Sequence, residues 1–165
     1  MKTFGEFNNI NENINFTNES KSGLEGVIEY KDGLTEEIVK KKYSWLLKAK
    51  FKDAVIGEDK RGLVWYDGTW KDGTWKDGTW KNGTWEDGTW RDGEWKSGFW
   101  YNGTWENGDR YGGSWYDGTW ENGDWYGGSW YDGTWENGRW IGGGILNQEK
   151  GEFEESDEPP TEDFD

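Results

Sequence analysis

Seven aspartates recur at multiples of five residues. Carboxylates at such a regular spacing could build a metal site. The seven are Asp67, Asp72, Asp77, Asp87, Asp92, Asp117 and Asp132. Calcium sites in repeat proteins need several oxygens that converge on one ion, whereas each of these aspartates precedes a glycine with no second carboxylate beside it. Asp-Gly is typical of a tight turn. The spacing therefore predicts turns, and we expect no metal and no cofactor.

The composition removes the side chains of most familiar catalytic sites. The sequence has no Cys and no His, which excludes disulfide frameworks and the usual zinc, Ser/His/Asp and Cys/His sites. The abundant titratable groups are turn carboxylates and lysines without a convergent partner. We therefore predict that this protein is not an enzyme and has no catalytic residue.

A five-residue repeat, W-x-[D/N]-G-T, runs sixteen times from Trp65 to Gly144. Tryptophan holds the first position of every repeat except one, where Arg110 replaces it, and glycine always holds the fourth. A unit this short cannot bury its own indole, so each repeat must pack on its neighbours. Function is therefore expected on a surface rather than in a pocket.

The repeat length predicts an all-β repeat protein, built as a meander of very short antiparallel strands. Asp-Gly or Asn-Gly fills the third and fourth positions in twelve repeats, and this dipeptide suits a two-residue type I′ hairpin turn. Three residues remain for each strand, so that Trp75 would face Trp80 across the pair. We expect an elongated ribbon, roughly 75 Å long at the usual strand spacing, with every indole on one face.

A parallel β-solenoid with one pentapeptide on each side is the alternative. It is supported by a fifteen-residue period in the second half of the array. The residues that recur in register include Gly112, Gly127 and Gly142, and Tyr101, Tyr116 and Tyr131. Against it, three indoles in each layer are a large volume for a triangular core, and Glu106, Glu121 and Glu136 would stack as like charges. The ribbon is preferred for these reasons, since a duplication of fifteen residues also explains the period.

Three segments that match Y-x-G-x-W-x-x-G, beginning at Tyr101, Tyr111 and Tyr126, resemble the first half of the MORN repeat. The resemblance covers the array, about half of the chain, and lacks the second half of the MORN unit. It implies consecutive antiparallel hairpins that form an elongated sheet. It also implies a role as a scaffold or as a platform for protein interactions.

The first residues, Met1 to Phe7 followed by Ile10-Asn11-Glu12, resemble the leader of internal head proteins of tailed phages of the myovirus type. Such leaders end in an I/L-x-E cleavage site. The resemblance implies a virion or assembly component.

Residues 1–64 are expected to form an N-terminal segment with a small α/β cap on the array. Residues 27–30 have the pattern of a short strand, and Lys31-Asp32-Gly33 that of a turn. Thr35 can cap a helix over about residues 35–50. The apolar positions at helical spacing are Val39, Tyr43, Leu46 and Leu47. Since the open ends of repeat arrays need covering, we assign this role to residues 35–64.

Six lysines between residues 40 and 52 make the cap basic, and residues 145–165 end the chain with an acidic tail. The lysines indicate a solvated face, an internal match for that tail, or an acidic partner. The tail is rich in like charge and poor in aliphatic residues, which is typical of disorder. A solubilising tail or a docking peptide that uses Phe153 and Phe164 are its two expected roles.

The net charge of -15 argues against nucleic acid as a partner, because phosphate binding depends on Lys and Arg. The sequence contains no long apolar run and no apolar segment after Lys2, so neither a membrane span nor a signal peptide is expected. These features favour a cytoplasmic or virion location.

Two functions follow from the repeat. The first is a non-catalytic structural or interaction scaffold with a protein partner or self-association, and the indole strip must then be covered by the ribbon itself, by another copy or by a partner. The alternative is a glycan-binding module, in which exposed tyrosines and neighbouring tryptophans stack on sugar rings. The candidate surface residues are Tyr66, Tyr101, Tyr111, Tyr116, Tyr126 and Tyr131.

Overall fold

The computed structural model describes residues 24, 25 and 27–161 and shows a parallel β-solenoid of about five coils. Each coil takes fifteen residues, since each strand of the array up to β16 pairs with the strand fifteen positions later. Three pentapeptides therefore form the three sides of one coil. The preferred antiparallel ribbon is wrong, and the alternative geometry is the observed one.

The N-terminal part covers the first coil. Strands β1 (Leu24–Glu25) and β2 (Glu29–Tyr30) pair in parallel with β3 (Lys50–Asp59), which pairs antiparallel with β4 (Gly62–Asp72). Helix α1 (Glu36–Lys42) and a 3₁₀ helix (Ser44–Lys48) connect β2 to β3. The Thr35 side chain accepts the N–H of Ile38 (3.3 Å), which confirms its predicted capping role. The α-helix ends earlier than the predicted residue 50.

Strands of two residues follow β4 along the array. They are β5 (Thr74–Trp75), β6 (Thr79–Trp80), β7 (Thr84–Trp85), β8 (Thr89–Trp90), β9 (Glu94–Trp95), β10 (Phe99–Trp100), β11 (Thr104–Trp105), β12 (Asp109–Arg110), β13 (Ser114–Trp115), β14 (Thr119–Trp120), β15 (Asp124–Trp125), β16 (Ser129–Trp130), β17 (Thr134–Trp135) and β18 (Arg139–Trp140). Side 1 contains β6, β9, β12, β15 and β18, side 2 contains β7, β10, β13 and β16, and side 3 contains β5, β8, β11, β14 and β17. The long strand β4 begins sides 1 and 2.

Two backbone hydrogen bonds join each side to the next coil. On side 3, the Thr104 N–H donates to the Gly88 carbonyl (2.9 Å) and the Glu106 N–H to the Trp90 carbonyl (2.7 Å). The same pair of bonds recurs in each coil. These bonds hold successive coils at the spacing of neighbouring strands, about 4.8 Å.

Stacked indoles fill the interior. Tryptophans fifteen residues apart lie face to face, with ring centroids 4.7–5.1 Å apart and planes 5–10° from parallel. Tryptophans five residues apart meet edge to face at 5.5–6.0 Å. From Trp65 to Trp125 every indole of the array is fully buried. Three indoles are a large volume for one layer of a triangular core, which argued against the solenoid. They fit because the edge of each ring packs against the face of a neighbouring ring.

The predicted single indole face is also wrong, and the balance of energies explains why. Burying one indole stabilises the fold by about 5 kcal/mol, from 150–250 Å² of apolar area. The stacked carboxylates of Glu106, Glu121 and Glu136 lie outside in water, where each repulsion is about 1 kcal/mol or less. Arg91 also lies 3.8 Å from the Glu106 carboxylate. Self-burial of the indoles therefore outweighs the repulsion that favoured the ribbon.

The Asp-Gly and Asn-Gly dipeptides form the corners of the coil rather than hairpin turns. The fourth-position glycines have positive φ, for example +121° at Gly88, while the residue before each of them does not. A type I′ turn needs positive φ at both residues. The predicted hairpins, including those that the MORN resemblance implies, are therefore not formed.

The N-terminal end of the core is closed by aromatic side chains. Trp45 meets Trp75 edge to face at 5.3 Å, and Phe51 meets Trp65 in the same way at 5.6 Å. Phe51 also stacks on Trp70 at 6.1 Å. These contacts continue the indole packing into the residues that precede the array.

The segment predicted as a disordered tail forms a hairpin at the opposite end. Strand β19 (Gly144–Asn147) extends side 2, and β20 (Glu152–Glu155) pairs with it in antiparallel register. The prediction of disorder is wrong for these residues, because backbone pairing to β19 and the contact of Phe153 with Tyr131 (4.9 Å) offset the charge. Phe164 lies outside the described residues.

Gly88→Ala should destabilise the solenoid far more than Gly142→Ala. A Cβ at Gly88 would overlap the carbonyl oxygen of Gly73, and its φ of +121° strains any L residue. Gly142 has neither a positive φ nor an atom within 4 Å of an added Cβ. Urea unfolding should show a loss of about 3 kcal/mol or more for the first variant and less than about 1 for the second. Equal losses would contradict the corner geometry.

Candidate interaction surfaces

The six predicted tyrosines lie outside the coil, because the residue after each Trp points away from the core. They divide into two columns. Tyr66, Tyr111 and Tyr126 lie on side 1, and Tyr101, Tyr116 and Tyr131 lie on side 2. The single surface expected from the sequence is therefore two surfaces.

The side 2 column is a continuous stack. Tyr101 and Tyr116 lie 4.8 Å apart and 7° from parallel, and Tyr116 and Tyr131 lie 4.4 Å apart and 22° from parallel. Burial and the neighbouring Tyr116 raise the pKa of the Tyr131 hydroxyl. Phe153 closes the stack edge to face at 4.9 Å. The ring faces are thus occupied by one another, and the column presents mainly ring edges and hydroxyl groups.

Phe99 extends this surface and was not predicted. It fills the position that threonine or serine holds in most repeats, is 47% exposed, and lies 6.5 Å from the Tyr116 ring. Tyr101 beside it is 46% exposed. The departure from threonine was a signal in the sequence. We call Phe99, Tyr101, Tyr116, Tyr131 and Phe153 the side 2 aromatic surface.

The side 1 column mixes aromatic and basic residues. Lys96 lies over the Tyr111 ring at 4.0 Å, and Tyr111 stacks on Tyr126 at 4.9 Å. Tyr66 is separated from them by two coils and holds Lys81 over its ring at 5.3 Å. A hydrogen bond to Asp32 is the main cause that raises the pKa of Tyr66 to about 12. The tyrosines of side 1 therefore do not form one uninterrupted stack.

A column of acidic side chains runs beside these rings. Glu94, Asp109 and Asp124 occupy equivalent positions in successive coils. Burial, followed by repulsion from Asp124, raises the pKa of Asp109. Arg139 donates to Asp124 through Nε (2.9 Å) and Nη2, which lowers the pKa of Asp124. The arginine thus offsets part of the repulsion in the column.

The seven aspartates of the repeat are corner residues. Each carboxylate accepts the N–H of the glycine that follows it, at 2.7–2.9 Å. Within the described residues, no group of three acidic side chains is arranged to hold a metal ion. The aspartates therefore stabilise corners of the coil, in place of the hairpin turns that the sequence predicted.

Arg110 is the one charged side chain that the structure places in the indole core. Its guanidinium carbon lies 4.9 Å from the Trp95 ring and 4.8 Å from the Trp125 ring, in the place of the missing indole. Among the described residues, none accepts a hydrogen bond from its Nε, Nη1 or Nη2. Complete burial lowers the pKa of Arg110 to about 9. The two indole faces, which attract a cation, act in the opposite direction.

Comparison of the chain with protein-family models, with curated proteins and with solved structures returned no match. The MORN and phage-leader resemblances therefore stay expectations, and Met1 to Phe7 and Ile10-Asn11-Glu12 lie outside the described residues. In the described part of the chain, no helix is both long and apolar enough to cross a membrane.

Arg110→Trp should stabilise the protein by about 1–4 kcal/mol at neutral pH, because it replaces a buried charge by a residue that completes the stack. Urea unfolding followed by circular dichroism measures this change. Arg110→Lys is the matched control, since it keeps the charge but loses the planar group between the indoles. A loss of stability in Arg110→Trp would show that this layer needs the cation.

The advantage of Arg110→Trp should shrink at high pH. The pKa of Arg110 is lower in the folded chain than in the unfolded chain, so the full penalty applies below about pH 9. Above that pH the folded state releases its proton first, and the wild type gains stability relative to the variant. Tyrosine ionisation affects both proteins equally and cancels in the difference. A difference that stays constant from pH 7 to above pH 10 would contradict this assignment.

Proposed function

We propose that the protein is a non-catalytic scaffold that binds a protein partner through the side 2 aromatic surface. The observation that carries the proposal is the division between interior and exterior. The interior is filled by stacked indoles and a single guanidinium, so sequence variation that can serve recognition lies outside. Aromatic side chains are enriched at protein interfaces, and those of side 2 form one contiguous patch.

The chemistry of the exterior also favours binding over catalysis. The corner carboxylates accept hydrogen bonds from their own glycines, and the acidic column of side 1 is paired with arginine at Asp124. A turnover number above about 1 s⁻¹ in activity screens would overturn the non-catalytic assignment.

A role as a virion or assembly component is the form of scaffold that we favour. The repeat gives a rod of fixed coil spacing, to which recognition surfaces are attached at fixed intervals. Mass spectrometry of the native assembly tests this role. Recovery of the protein only as a free chain would contradict it.

Glycan binding is the alternative function, and one observation supports it. Phe99 and Tyr101 at the start of the side 2 aromatic surface are nearly half exposed, so their rings can reach a sugar. The neighbouring tryptophans are buried and cannot take part, which corrects the expectation that they would. The remaining tyrosine faces are occupied by their own stack.

Photo-crosslinking should locate the partner surface. A benzophenone side chain in place of Tyr101 should crosslink one protein in the native assembly, because it stands within the side 2 aromatic surface. The same group in place of Thr104 on side 3 is the matched control, three residues after Tyr101 and directly past the corner at Gly103, and should give no such product. Equal crosslinking from both positions would contradict a partner surface on side 2.

A glycan array separates the two functions. If the protein is a scaffold, the double variant Phe99→Ser and Tyr101→Ser should not abolish binding to any glycan on the array. Binding of one glycan class that this variant abolishes, while Tyr126→Ser keeps it, would establish the alternative instead.

A further inference from the structure

The two ends of the solenoid are closed to different extents. At the N-terminal end, β3 pairs with β4, and Trp45 and Phe51 cover the first layer of indoles. At the other end, β20 pairs with β19 of side 2, and the Ser156 carbonyl after it accepts the indole N–H of Trp140 (2.8 Å). In the described part of the chain, no later strand pairs with β17 or β18, the last strands of sides 3 and 1. The outer edges of these two strands therefore lack a strand partner within the described residues.

The last layer of the core is also incomplete. Trp140 and Ile145 occupy two of its three positions, and the chain then forms the β19–β20 hairpin, with the exposed Lys150 in its turn, before a third indole. A hollow of about 980 Å³ lies here, bordered by Trp130, Ile145 and the prolines 159 and 160. Trp135 is only partly buried, whereas the corresponding Trp75 at the covered end is fully buried. Among the described residues, this end thus combines strand edges that lack a strand partner with uncovered apolar surface.

The charges of the two ends are complementary. Residues 101–161 contain thirteen Asp and Glu against three Lys and Arg, and five of the carboxylates border the hollow. They are Asp132, Glu149, Glu154, Glu155 and Glu158. The N-terminal cap carries six exposed lysines in its helices and in the start of β3, of which Lys40 and Lys42 pair with Glu36 and Glu58 of the cap itself. The six lysines are Lys40, Lys41, Lys42, Lys48, Lys50 and Lys52.

Within the described residues, the lysines and the acidic end do not meet in one chain. About five coils separate them, or roughly 24 Å at the spacing of parallel strands. The expected internal match between the basic segment and the acidic tail is therefore not formed by the tail residues up to 161. The same surfaces can meet when the ends belong to different copies.

We propose that the C-terminal end of one copy docks on the lysine-rich N-terminal end of a second copy. Contact in this direction covers Trp135 and the hollow and places lysines against carboxylates. Contact between two C-terminal ends would instead join two acidic surfaces, which repel. A contact between different ends leaves one end free on each side and can continue into a filament along the solenoid axis. This end shares Tyr131 and Phe153 with the side 2 aromatic surface of the proposed function, whereas Phe99 and Tyr101 belong to that surface alone.

Salt dependence of association is the first test. The net charge of -15 repels whole copies at low ionic strength, whereas at about 0.15 M salt only charges within about 8 Å interact. Sedimentation velocity of the full chain should therefore show a series of oligomers that grows with concentration at about 0.15 M NaCl and a monomer at about 1 M NaCl. A monomer at all concentrations in the lower salt, or a dimer that does not grow, would overturn the proposal.

Charge reversal at each end is the second test. The cap variant carries Lys41→Glu, Lys48→Glu and Lys50→Glu. The end variant carries Glu152→Lys, Glu155→Lys and Glu158→Lys. Each variant alone should sediment as a monomer at about 0.15 M NaCl, because both of its ends carry the same sign. A mixture of the two variants should associate again, since the acidic cap of one matches the basic end of the other.

The control variant carries Lys76→Glu, Lys81→Glu and Arg91→Glu on the walls of the rod, which changes the net charge as much as the cap variant does. It should keep the oligomer series. Loss of association in the control, or failure of the two end variants to associate when mixed although both are folded by circular dichroism, would overturn the proposal. Crosslinking from position 101 remains measurable in the monomeric end variants, so failure of this proposal and failure of the proposed function are distinguishable.

Discussion

Face-to-face stacking of indoles at the spacing of β-strands is the interaction on which the rest of the structure depends. Hydrogen-bonded strands lie about 4.8 Å apart, and the stacked indoles of this core lie 4.7–5.1 Å apart. The backbone ladder and the side-chain stack therefore have the same period, and each supports the other without strain. Because the three stacks also meet edge to face, one indole on each side is enough to fill a layer.

This constraint leaves little freedom inside the coil. The fourth-position glycines have positive φ where one coil passes close to the carbonyl of the coil before it, and each aspartate of the repeat is held by the N–H of its own glycine. Arg110 is the one position of the array at which a side chain other than an indole fills the first position of the repeat. Its flat guanidinium stays between Trp95 and Trp125, so the stack is continuous in shape although it contains a charge.

The side chains that vary from repeat to repeat lie on the outside of the coil. Residues after each tryptophan point outward, and equivalent positions in successive coils form columns of tyrosine, lysine and carboxylate. Stacking makes these columns rigid, as in the series Tyr101, Tyr116 and Tyr131. The neutral N-terminal half and the strongly acidic C-terminal half also give the rod two different ends. The proposed recognition by this protein therefore relies on columns and ends rather than on a pocket.

From the sequence alone follow the tryptophans of the core, the positive φ of the fourth-position glycines, the change of chain direction at each Asp-Gly and the cap at Thr35. Each of these follows from local chemistry, such as the size of an indole or the φ that glycine allows. Which strands pair was decided only by the tertiary structure. Pairing with the next pentapeptide and pairing with the third one both bury indoles, and local preferences do not distinguish them. The fifteen-residue period favoured pairing with the third pentapeptide. That pairing is possible only if three indoles fit in one layer, which is a property of packing.

The same limit applies to the surfaces and to the tail. The sequence identified all six tyrosines, yet only the coil geometry divided them into two columns and occupied their faces with each other. The sequence predicted disorder for the acidic residues 152–155, because their composition alone does not offset the entropy cost of ordering them. In the structure the exposed edge of β19 supplies hydrogen bonds and Tyr131 supplies a contact for Phe153. Composition describes a segment in isolation, whereas order depends on the surface that the rest of the fold offers to it.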